Sequence, residues 1–248
     1  MEDFEYRFPR QVQFRLGLSY IKALAEPINE MFPHVFRATL IETAWHRFVR
    51  AFLPSFPSLV QRVVRTLWPR YALPACVVLK KLRDPFAGRK QIVCLKDEFA
   101  NEKAMYQRLA FLQGKRIPVL YGETRCDGKR TLALSYIPGV TPVAQTPPRL
   151  TAEAFEERMR AAVGDFSERG LELDDVSLLN VMLIDDRIMF VDLELVFEAD
   201  PGTLQSITKS TIAEFTNRYK SYLRTADKEW LDGGMSEFEH VQCFEHMQ

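Results

Sequence analysis

The apolar residues in the first third of the chain recur at intervals that predict helices. From Gln11 to Phe32 they stand close to one helical turn apart, and Pro27 would interrupt or restart that helix. The apolar members of this segment are Val12, Leu16, Leu18, Tyr20, Ile21, Leu24 and Ala25. The spacing is stronger over Val35–Leu53, and a third helix is predicted over Ser58–Trp68, with Ser58 as its cap. The pattern therefore predicts an N-terminal helical region.

The next part of the chain is predicted to contain strands around one helix. Ala75–Leu79 is a compact apolar run that ends at Lys80, as expected of a strand. A helix is predicted over Asp97–Gln113, and Glu102 lies close to its apolar face. Two further strands are predicted between this helix and Tyr136. The order is strand, lysine, helix with glutamate, and two strands.

The last part of the chain combines two helical segments with a hairpin. A helix is predicted over Thr151–Gly170, from a capping threonine to a terminating glycine. The short apolar runs Val181–Ile184 and Ile188–Val191 flank the pair Asp185-Asp186, which is typical of a hairpin and its turn. A final helix is predicted over Leu204–Tyr222.

Three polar residues stand around this hairpin. Asp175 comes from the loop that leads in, Asn180 precedes the first strand and Asp192 follows the second. If the hairpin forms, its start and end lie close together, so these oxygen-bearing side chains converge on a site that suits magnesium. Asp175 could instead only cap a turn, as could Asp174. For Asp192, an acid at the end of a buried apolar strand requires a partner or a metal.

Composition and charge narrow the class of protein. Lys+Arg and Asp+Glu number 33 each, so the net charge gives no sign of nucleic-acid binding. The cysteines are scattered and predict a reduced protein without a disulfide framework. No apolar run is long enough to span a bilayer, and the first residues lack the apolar core of a signal peptide. We therefore expect a soluble intracellular protein, cytoplasmic or nuclear.

Local charge is uneven in one block, residues 35–70. Its only acidic residue is Glu42, and its basic residues are Arg37, Arg47, Arg50, Arg62, Arg65 and Arg70. Such a basic amphipathic block could lie on an anionic membrane surface or hold an acidic partner. The alternative is a layer of helices that packs on the following domain and turns its arginines outward.

Five segments resemble, in order and spacing, a group of fungal protein-kinase-like proteins. They are VVLK ending at Lys80, FANEKAMYQRL around Glu102, LQGKRIPVLYG, DDVSLLN ending at Asn180, and VDLE containing Asp192. The segment from Ala133 to Gly139 also resembles the kinase hinge. The resemblance covers about Ala75 to Glu198. Each motif alone is weak, whereas their joint order is specific.

The resemblance implies an α+β class and a bilobed protein-kinase-like fold. The expected fold has a truncated small β-rich lobe, a helical large lobe and an N-terminal helical extension. The proline-rich connector Val140–Leu150 marks the boundary between the lobes. The expected segments are 1–72 for the extension, 73–139 for the small lobe and 140–248 for the large lobe.

The resemblance also implies roles for five side chains. Lys80 would contact the α- and β-phosphates of ATP and be held by Glu102. Asn180 and Asp192 would bind Mg²⁺ that bridges the phosphates, and Asp175 would accept the proton of the substrate hydroxyl. The alternatives are structural: Lys80 could be an exposed strand end, as could Lys81, and Glu102 could be a solvated helix residue.

A hinge for adenine is implied as well. Backbone groups of Ser135, Tyr136 and Ile137 would take the adenine edge, and Leu134 would be the gatekeeper beside it. These four residues stand at the end of a predicted strand, just before Pro138-Gly139.

The sequence departs from the kinase pattern at several points. Gly17 is the only glycine before Lys80, so no glycine-rich loop covers the phosphates. Leu173 and Asp174 replace the histidine and the next residue of the catalytic loop, and Glu194 takes the third position of the DFG motif.

Two functions follow from the resemblance and its departures. The first is an ATP- and Mg²⁺-dependent phosphotransferase that acts on a hydroxyl of a protein or a small molecule. The alternative is a catalytically weak or inactive pseudokinase that serves as a binding or scaffold module. The retained lysine, glutamate, aspartates and asparagine favour the first, and the missing glycine-rich loop favours the second.

Overall fold

The computed structural model describes residues 9–29, 32–83 and 89–232. Its strands are β1 (Arg10–Leu16), β2 (Ser19–Pro27), β3 (Val35–Leu40), β4 (Cys76–Lys81), β5 (Leu120–Cys126), β6 (Lys129–Ser135), β7 (Leu171–Leu173), β8 (Val181–Ile184), β9 (Arg187–Phe190) and β10 (Val196–Glu198). Its helices are α1 (Ala44–Phe52), α2 (Ser58–Leu67), α3 (Arg89–Arg108), α4 (Ala152–Ser167) and α5 (Leu204–Asp232), joined in places by single 3₁₀ turns.

The chain divides into two compact units. Unit 1 comprises Met1–Asp97 and Val119–Tyr136, and unit 2 comprises Glu98–Pro118 and Ile137–Gln248. Within the described ranges, none of the helices combines the length and the apolar character needed to cross a membrane.

Unit 1 is built on a closed barrel of six antiparallel strands in the order β1-β2-β3-β4-β6-β5. The barrel closes where β1 pairs with β5, with Phe14 opposite Cys126. Buried and exposed residues alternate along β1 and β2, because successive side chains of a strand point to opposite faces. The core cluster contains Val12, Phe14, Leu16, Ile21, Ala23, Ala25, Phe36, Ala38, Leu40, Leu73, Val77, Leu79, Cys126 and Ala133.

The helix predicted from Gln11 to Phe32 is wrong, since β1 and β2 occupy most of this segment. The outer face of this hairpin carries apolar side chains, and Leu18 and Tyr20 are 58% and 59% exposed. Exposed Leu18 and Tyr20 stand in the sequence beside buried Leu16 and Ile21, and the combined spacing of these apolar residues is close to that of a helix. The two-residue period of the buried side chains is thereby concealed in the sequence.

The other two N-terminal predictions have different outcomes. The predicted helix over Val35–Leu53 divides into β3 and α1, so its first third is a strand. The predicted helix over Ser58–Trp68 is confirmed as α2, although its N-cap is Pro57 rather than Ser58. Arg50 secures α1, because its guanidinium donates to both carboxylate oxygens of Glu42 and to the carbonyl of Leu73.

The predicted bilobed protein-kinase-like fold is wrong. The closed barrel contradicts this prediction, because the segment expected to be a helical extension supplies three of its strands. These strands, β1, β2 and β3, connect β4 on one side to β5 on the other and so close the barrel. Every strand of the barrel thus has two hydrogen-bonded neighbours, which leaves no open edge. In place of a helical large lobe, unit 2 combines helices with two small two-stranded sheets. Unit 1 accordingly continues past residue 72 to Asp97, and the chain enters unit 2 first at Glu98 and again at Ile137.

The core of unit 2 lies between α4, α5 and the hairpin β8–β9. Phe155 of α4 stacks on Tyr219 of α5, with their ring centroids 4.2 Å apart. Phe166 of α4 meets Phe190 of β9 edge to face at 5.4 Å. The predicted cap of α4 is confirmed, since Thr151 Oγ1 accepts a hydrogen bond from a backbone N–H in the first turn.

The predicted hairpin is confirmed as β8 and β9. Asp185 has φ 51°, a left-handed conformation that aspartate tolerates in tight turns. Two backbone hydrogen bonds with Val140 hold Leu183 of β8, and Arg116 accepts one from Phe190 of β9. The hairpin is therefore fixed on both sides, and so are the polar residues at its ends.

Candidate functional site

The pairing of β7 with β10 brings two polar loops of unit 2 together. Leu173 stands opposite Val196 in this antiparallel pair, and Asp174 donates its N–H to the carbonyl of Leu195 at 3.0 Å. The loop that leaves β7 carries Asp175, and the loop that enters β10 carries Asp192 and Glu194. The two loops consequently run side by side.

Asn180 links the loop after β7 to the hairpin. It ends a 3₁₀ turn, and its side-chain Nδ2 donates to Asp175 Oδ2 at 2.6 Å. Its backbone carbonyl accepts from the N–H of Val191 at 3.0 Å, which joins the start of the hairpin to its end. Because Nδ2 is directed at Asp175, Oδ1 is the atom of this amide that could ligate a cation.

Asp192 is held in a tight turn immediately after the hairpin. Its Oδ1 accepts the backbone N–H of Glu194 at 3.0 Å, while Leu193 between them is completely buried. Asn101 of α3 secures the same loop, because its Nδ2 donates to the carbonyls of Glu194 and Val196 at 2.9 and 3.0 Å. The orientation of Asp192 is thus set by backbone and core contacts.

Three carboxylates form an acidic cluster, defined as the buried Glu102 of α3 and Glu194 with the half-buried Asp192. One oxygen from each lies within 4.8 Å of the others. Glu102 is 0% exposed and Glu194 is 9% exposed. Three carboxylates at these distances repel one another, and a divalent cation bound to their oxygens would offset that repulsion. Glu194 has no ligand role in the sequence prediction, which treats it only as a departure from DFG.

Tyr106 lies one helical turn beyond Glu102 and is completely buried. Among the described residues, its hydroxyl has no hydrogen-bond partner. Burial raises the pKa of Tyr106 well above its usual range, and the charges of Glu102 and Asp192 raise it further. The phenol therefore stays protonated beside the acidic cluster and is available as a donor to an oxygen or a water bound there. The sequence places Tyr106 in the segment FANEKAMYQRL but assigns no role to its hydroxyl.

Asp175 has an electrostatic environment suited to accepting a proton. Partial removal of solvent is the largest cause that raises its pKa, and the negative charge of Asp192 adds to it. The hydrogen bond from Asn180 and the charge of Arg218 act in the opposite direction. Because the net shift is upward, Asp175 is a stronger base than an ordinary aspartate.

Lys80 lies in β4 of unit 1, where its Cα stands opposite those of Val35 and Leu132. It is buried, as is Lys81, so the alternative of two exposed strand ends is wrong. Lys81 binds Asp127, with Nζ 2.5 Å from Oδ2. Glu102 belongs to unit 2, and its predicted pairing with Lys80 stays a prediction. Glu102 itself is buried, so the alternative of a solvated helix residue is also wrong.

The predicted hinge residues stand where the chain passes from unit 1 to unit 2. Leu134 and Ser135 end β6, and Leu134 is buried. The N–H of Ser135 donates to the carbonyl of Val119 at 2.9 Å, and its side-chain Oγ accepts the N–H of Val119 at 2.9 Å, so the N–H of Ser135 is not a donor to adenine. Tyr136 lies beneath the guanidinium of Arg37.

Ile137 is the first residue of the second chain segment of unit 2, Ile137–Gln248. Its carbonyl accepts from the N–H of Gly139 at 2.9 Å. The adenine role of Tyr136 and Ile137 stays a prediction.

A comparison with models of known protein families found no match, and a comparison with curated proteins also found none. The resemblance to fungal kinase-like proteins consequently stays a prediction.

Proposed function

We propose that this protein is a Mg²⁺-dependent phosphotransferase that moves the γ-phosphoryl group of ATP to a hydroxyl of a protein or small molecule. The observation that carries the proposal is the convergence of Asp175, Asn180 and Asp192 on one side of the hairpin, beside the acidic cluster. The proposal rests on these side chains and their chemistry rather than on a fold, since fold alone does not determine function.

The residues present fit a magnesium ion. Mg²⁺ prefers oxygen ligands, and Asp192 and Asn180 each offer one, with Glu194 and Glu102 as further carboxylates. When bound, Mg²⁺ neutralises charge on the phosphates and on the leaving group. The turn at Asp192 and the contacts of Asn101 keep these oxygens in place, so little ordering is needed when the ion binds.

Asp175 acts on the substrate hydroxyl. The hydroxyl oxygen forms a bond to the γ-phosphorus, the bond from that phosphorus to the β–γ bridging oxygen breaks, and ADP leaves with the electron pair. The hydroxyl proton goes to the carboxylate of Asp175. Asn180 supports this step, because its Nδ2 donates to Oδ2 and directs the carboxylate. The raised pKa of Asp175 favours the proton transfer.

The decisive experiment is thermal unfolding of the full chain with and without Mg²⁺ and ATP. At about 100 times Kd, ligand binding should raise the melting temperature by about 5–10 °C. Asp192→Asn should remove most of that rise, because it removes a ligand charge. The matched control is Asp186→Asn in the exposed turn of the same hairpin, which should keep the full rise. Absence of a rise in the wild-type protein would refute the proposal.

The second candidate is a binding module without turnover. The observation that favours it lies in unit 1, where α1 and α2 expose large aromatic and aliphatic side chains that a phosphotransferase site does not use. Nucleotide binding without phosphoryl transfer to any acceptor, or to water, would favour this candidate over the first.

A further inference from the structure

An exposed aromatic face covers α1, the 3₁₀ turn after it, and α2. Its members are Trp45, Phe48, Phe52, Phe56, Leu59, Val60, Val63, Leu67 and Trp68, with exposures from 38% for Leu67 to 71% for Leu59. Single exposed apolar side chains are ordinary on protein surfaces, but a contiguous set of this size marks an interaction site.

The aromatic face is ordered on its own helices. Trp45 and Phe48 stack with ring centroids 5.6 Å apart, and Phe48 and Phe52 follow at 4.5 Å. These residues recur at three- and four-residue intervals, which places them on one side of α1.

The opposite side of this segment contacts the rest of unit 1. His46 and Leu53 are buried, and Arg50 binds both Glu42 and the carbonyl of Leu73. At the end of α2, the carbonyl of Leu67 accepts the N–H of Leu18 at 3.1 Å. The side opposite the aromatic face is therefore bound to the rest of unit 1, and the aromatic face points outward.

The segment that carries the aromatic face has charge of one sign. The sequence from Thr43 to Ala75 contains arginines but no aspartate or glutamate. Arg47 of α1 and Arg62 of α2 are exposed. The nearest acid in sequence, Glu42, is engaged by Arg50. The surface thus combines large apolar side chains with positive charge.

We propose that the aromatic face docks on an anionic lipid bilayer surface. Helices that lie in a bilayer interface carry Trp, Phe and Leu on one face and arginines on the polar face. The apolar side chains of α1 are mainly aromatic and those of α2 are leucines and valines, and both helices contain arginines. The apolar side chains enter the boundary between headgroups and acyl chains, while the arginines attract anionic headgroups and their stems remain among apolar groups. This inference is independent of the phosphotransferase proposal, because it uses no residue of unit 2.

The test is co-sedimentation of the full chain with two kinds of vesicle. One contains phosphatidylcholine alone, and the other also contains about 30% phosphatidylserine, which gives it an anionic surface. We expect binding to the anionic vesicles at low salt, a decrease of about tenfold or more at 0.5 M salt, and weak binding to the neutral ones. A blue shift of tryptophan fluorescence should accompany binding, since Trp45 and Trp68 would leave water.

Two pairs of variants assign the effect to this surface. Phe48→Ser with Phe52→Ser should abolish binding, and Arg47→Glu with Arg62→Glu should weaken it at least tenfold. The matched controls are Tyr20→Ser, which removes an exposed aromatic ring from the barrel, and Lys209→Glu, which reverses an exposed charge on α5. Circular dichroism and the melting temperature establish that each variant is folded.

Three results would overturn the proposal. The first is no co-sedimentation at low salt. The second is equal binding to neutral and anionic vesicles, which would remove the role of the arginines. The third is a monomer–dimer equilibrium in analytical ultracentrifugation that Phe48→Ser with Phe52→Ser abolishes while vesicle binding is unaffected, which would make this face a contact between two copies.

Discussion

Asp127 in unit 1 and Asp175 in unit 2 are both solvent-accessible aspartates that accept a side-chain hydrogen bond, but the charges around them differ in sign. Asp127 binds Lys81 and Arg10, each at 2.5 Å from its Oδ2. Burial alone would raise the pKa of Asp127, but the hydrogen bond and charge of Lys81, with the charge of Arg10, lower it overall. Its charge is balanced within the barrel.

Asp175 lies instead beside other acids. Burial and the charge of Asp192 raise its pKa, and Arg218 and Asn180 compensate only in part. Structural ion pairs satisfy charge locally, whereas sites that handle ligands often gather charge of one sign and shift the pKa values of their residues. The comparison predicts that Asp127 matters for stability and that Asp175 and its neighbours matter for activity.

The largest expected effect is on turnover. Asp175→Asn should reduce phosphoryl transfer by about 10²–10⁴-fold, because it removes the proton acceptor, and it should leave the Mg²⁺-ATP melting shift intact. The measurement is ADP release under saturating nucleotide. Asp127→Asn is the control and should keep full turnover. If Asp175→Asn turns over at the wild-type rate, its role as a base is refuted.

The next effect is on metal affinity. Glu194→Gln should weaken Mg²⁺ binding by roughly tenfold, the lower end of what loss of a group near a metal produces. Isothermal titration with MgCl₂ and a non-hydrolysable nucleotide measures this affinity. Glu157→Gln on the exposed side of α4 is the matched control. Unchanged affinity in Glu194→Gln would exclude this carboxylate from the ion's surroundings.

A smaller effect is expected on stability. Asp127→Asn should reduce the free energy of unfolding by about 1 kcal/mol, since Asp127 is exposed enough for solvent to screen the pairs it forms. Urea unfolding at neutral pH measures the loss, and Asp186→Asn should change it by less than about 0.5 kcal/mol. An unaltered midpoint for Asp127→Asn would mean that the barrel does not depend on this ion pair.

The smallest effect is the pH dependence of stability, which has opposite signs for the two aspartates. The lowered pKa of Asp127 stabilises the fold above the unfolded value of about 3.9, and this contribution is lost as the pH falls through its folded pKa. The raised pKa of Asp175 has the opposite effect, because it destabilises the fold as the pH rises from the unfolded value, and this destabilisation is complete above its folded pKa.

Asp175→Asn should therefore be slightly more stable than the wild type at pH 7, with the difference vanishing below about pH 4. Chemical unfolding at several pH values provides the measurement. A variant that is less stable than the wild type at pH 7 would show that the hydrogen bond with Asn180 outweighs the charge effect.

Local chemistry made part of the molecule predictable. The hairpin β8–β9 follows from a turn pair between two short apolar runs, and the cap at Thr151 follows from its position before a helical pattern. The proximity of Asn180 to the end of the hairpin, just before Asp192, follows in turn from the pairing of its strands. Each of these features depends on residues near one another in the sequence.

The features that sequence reasoning missed depend on distant residues. Exposed Leu18 and Tyr20 conceal the strand period of β1 and β2, and the barrel forms only through pairing with strands far along the chain. Likewise, Glu194 joins Glu102 only because α3 packs against the loop before β10. Neither pairing leaves a local signal.

Closure of the barrel has a consequence for biosynthesis. Phe14 of β1 pairs with Cys126, so the barrel can close only after about half of the 248-residue chain has been made. At about 5–20 residues per second, translation leaves the outer edge of β1 uncovered for on the order of 10 s. During that interval its unpaired N–H and C=O groups can recruit another chain. Association through a strand edge is therefore a hazard of the unfinished chain that the closed, edgeless barrel removes.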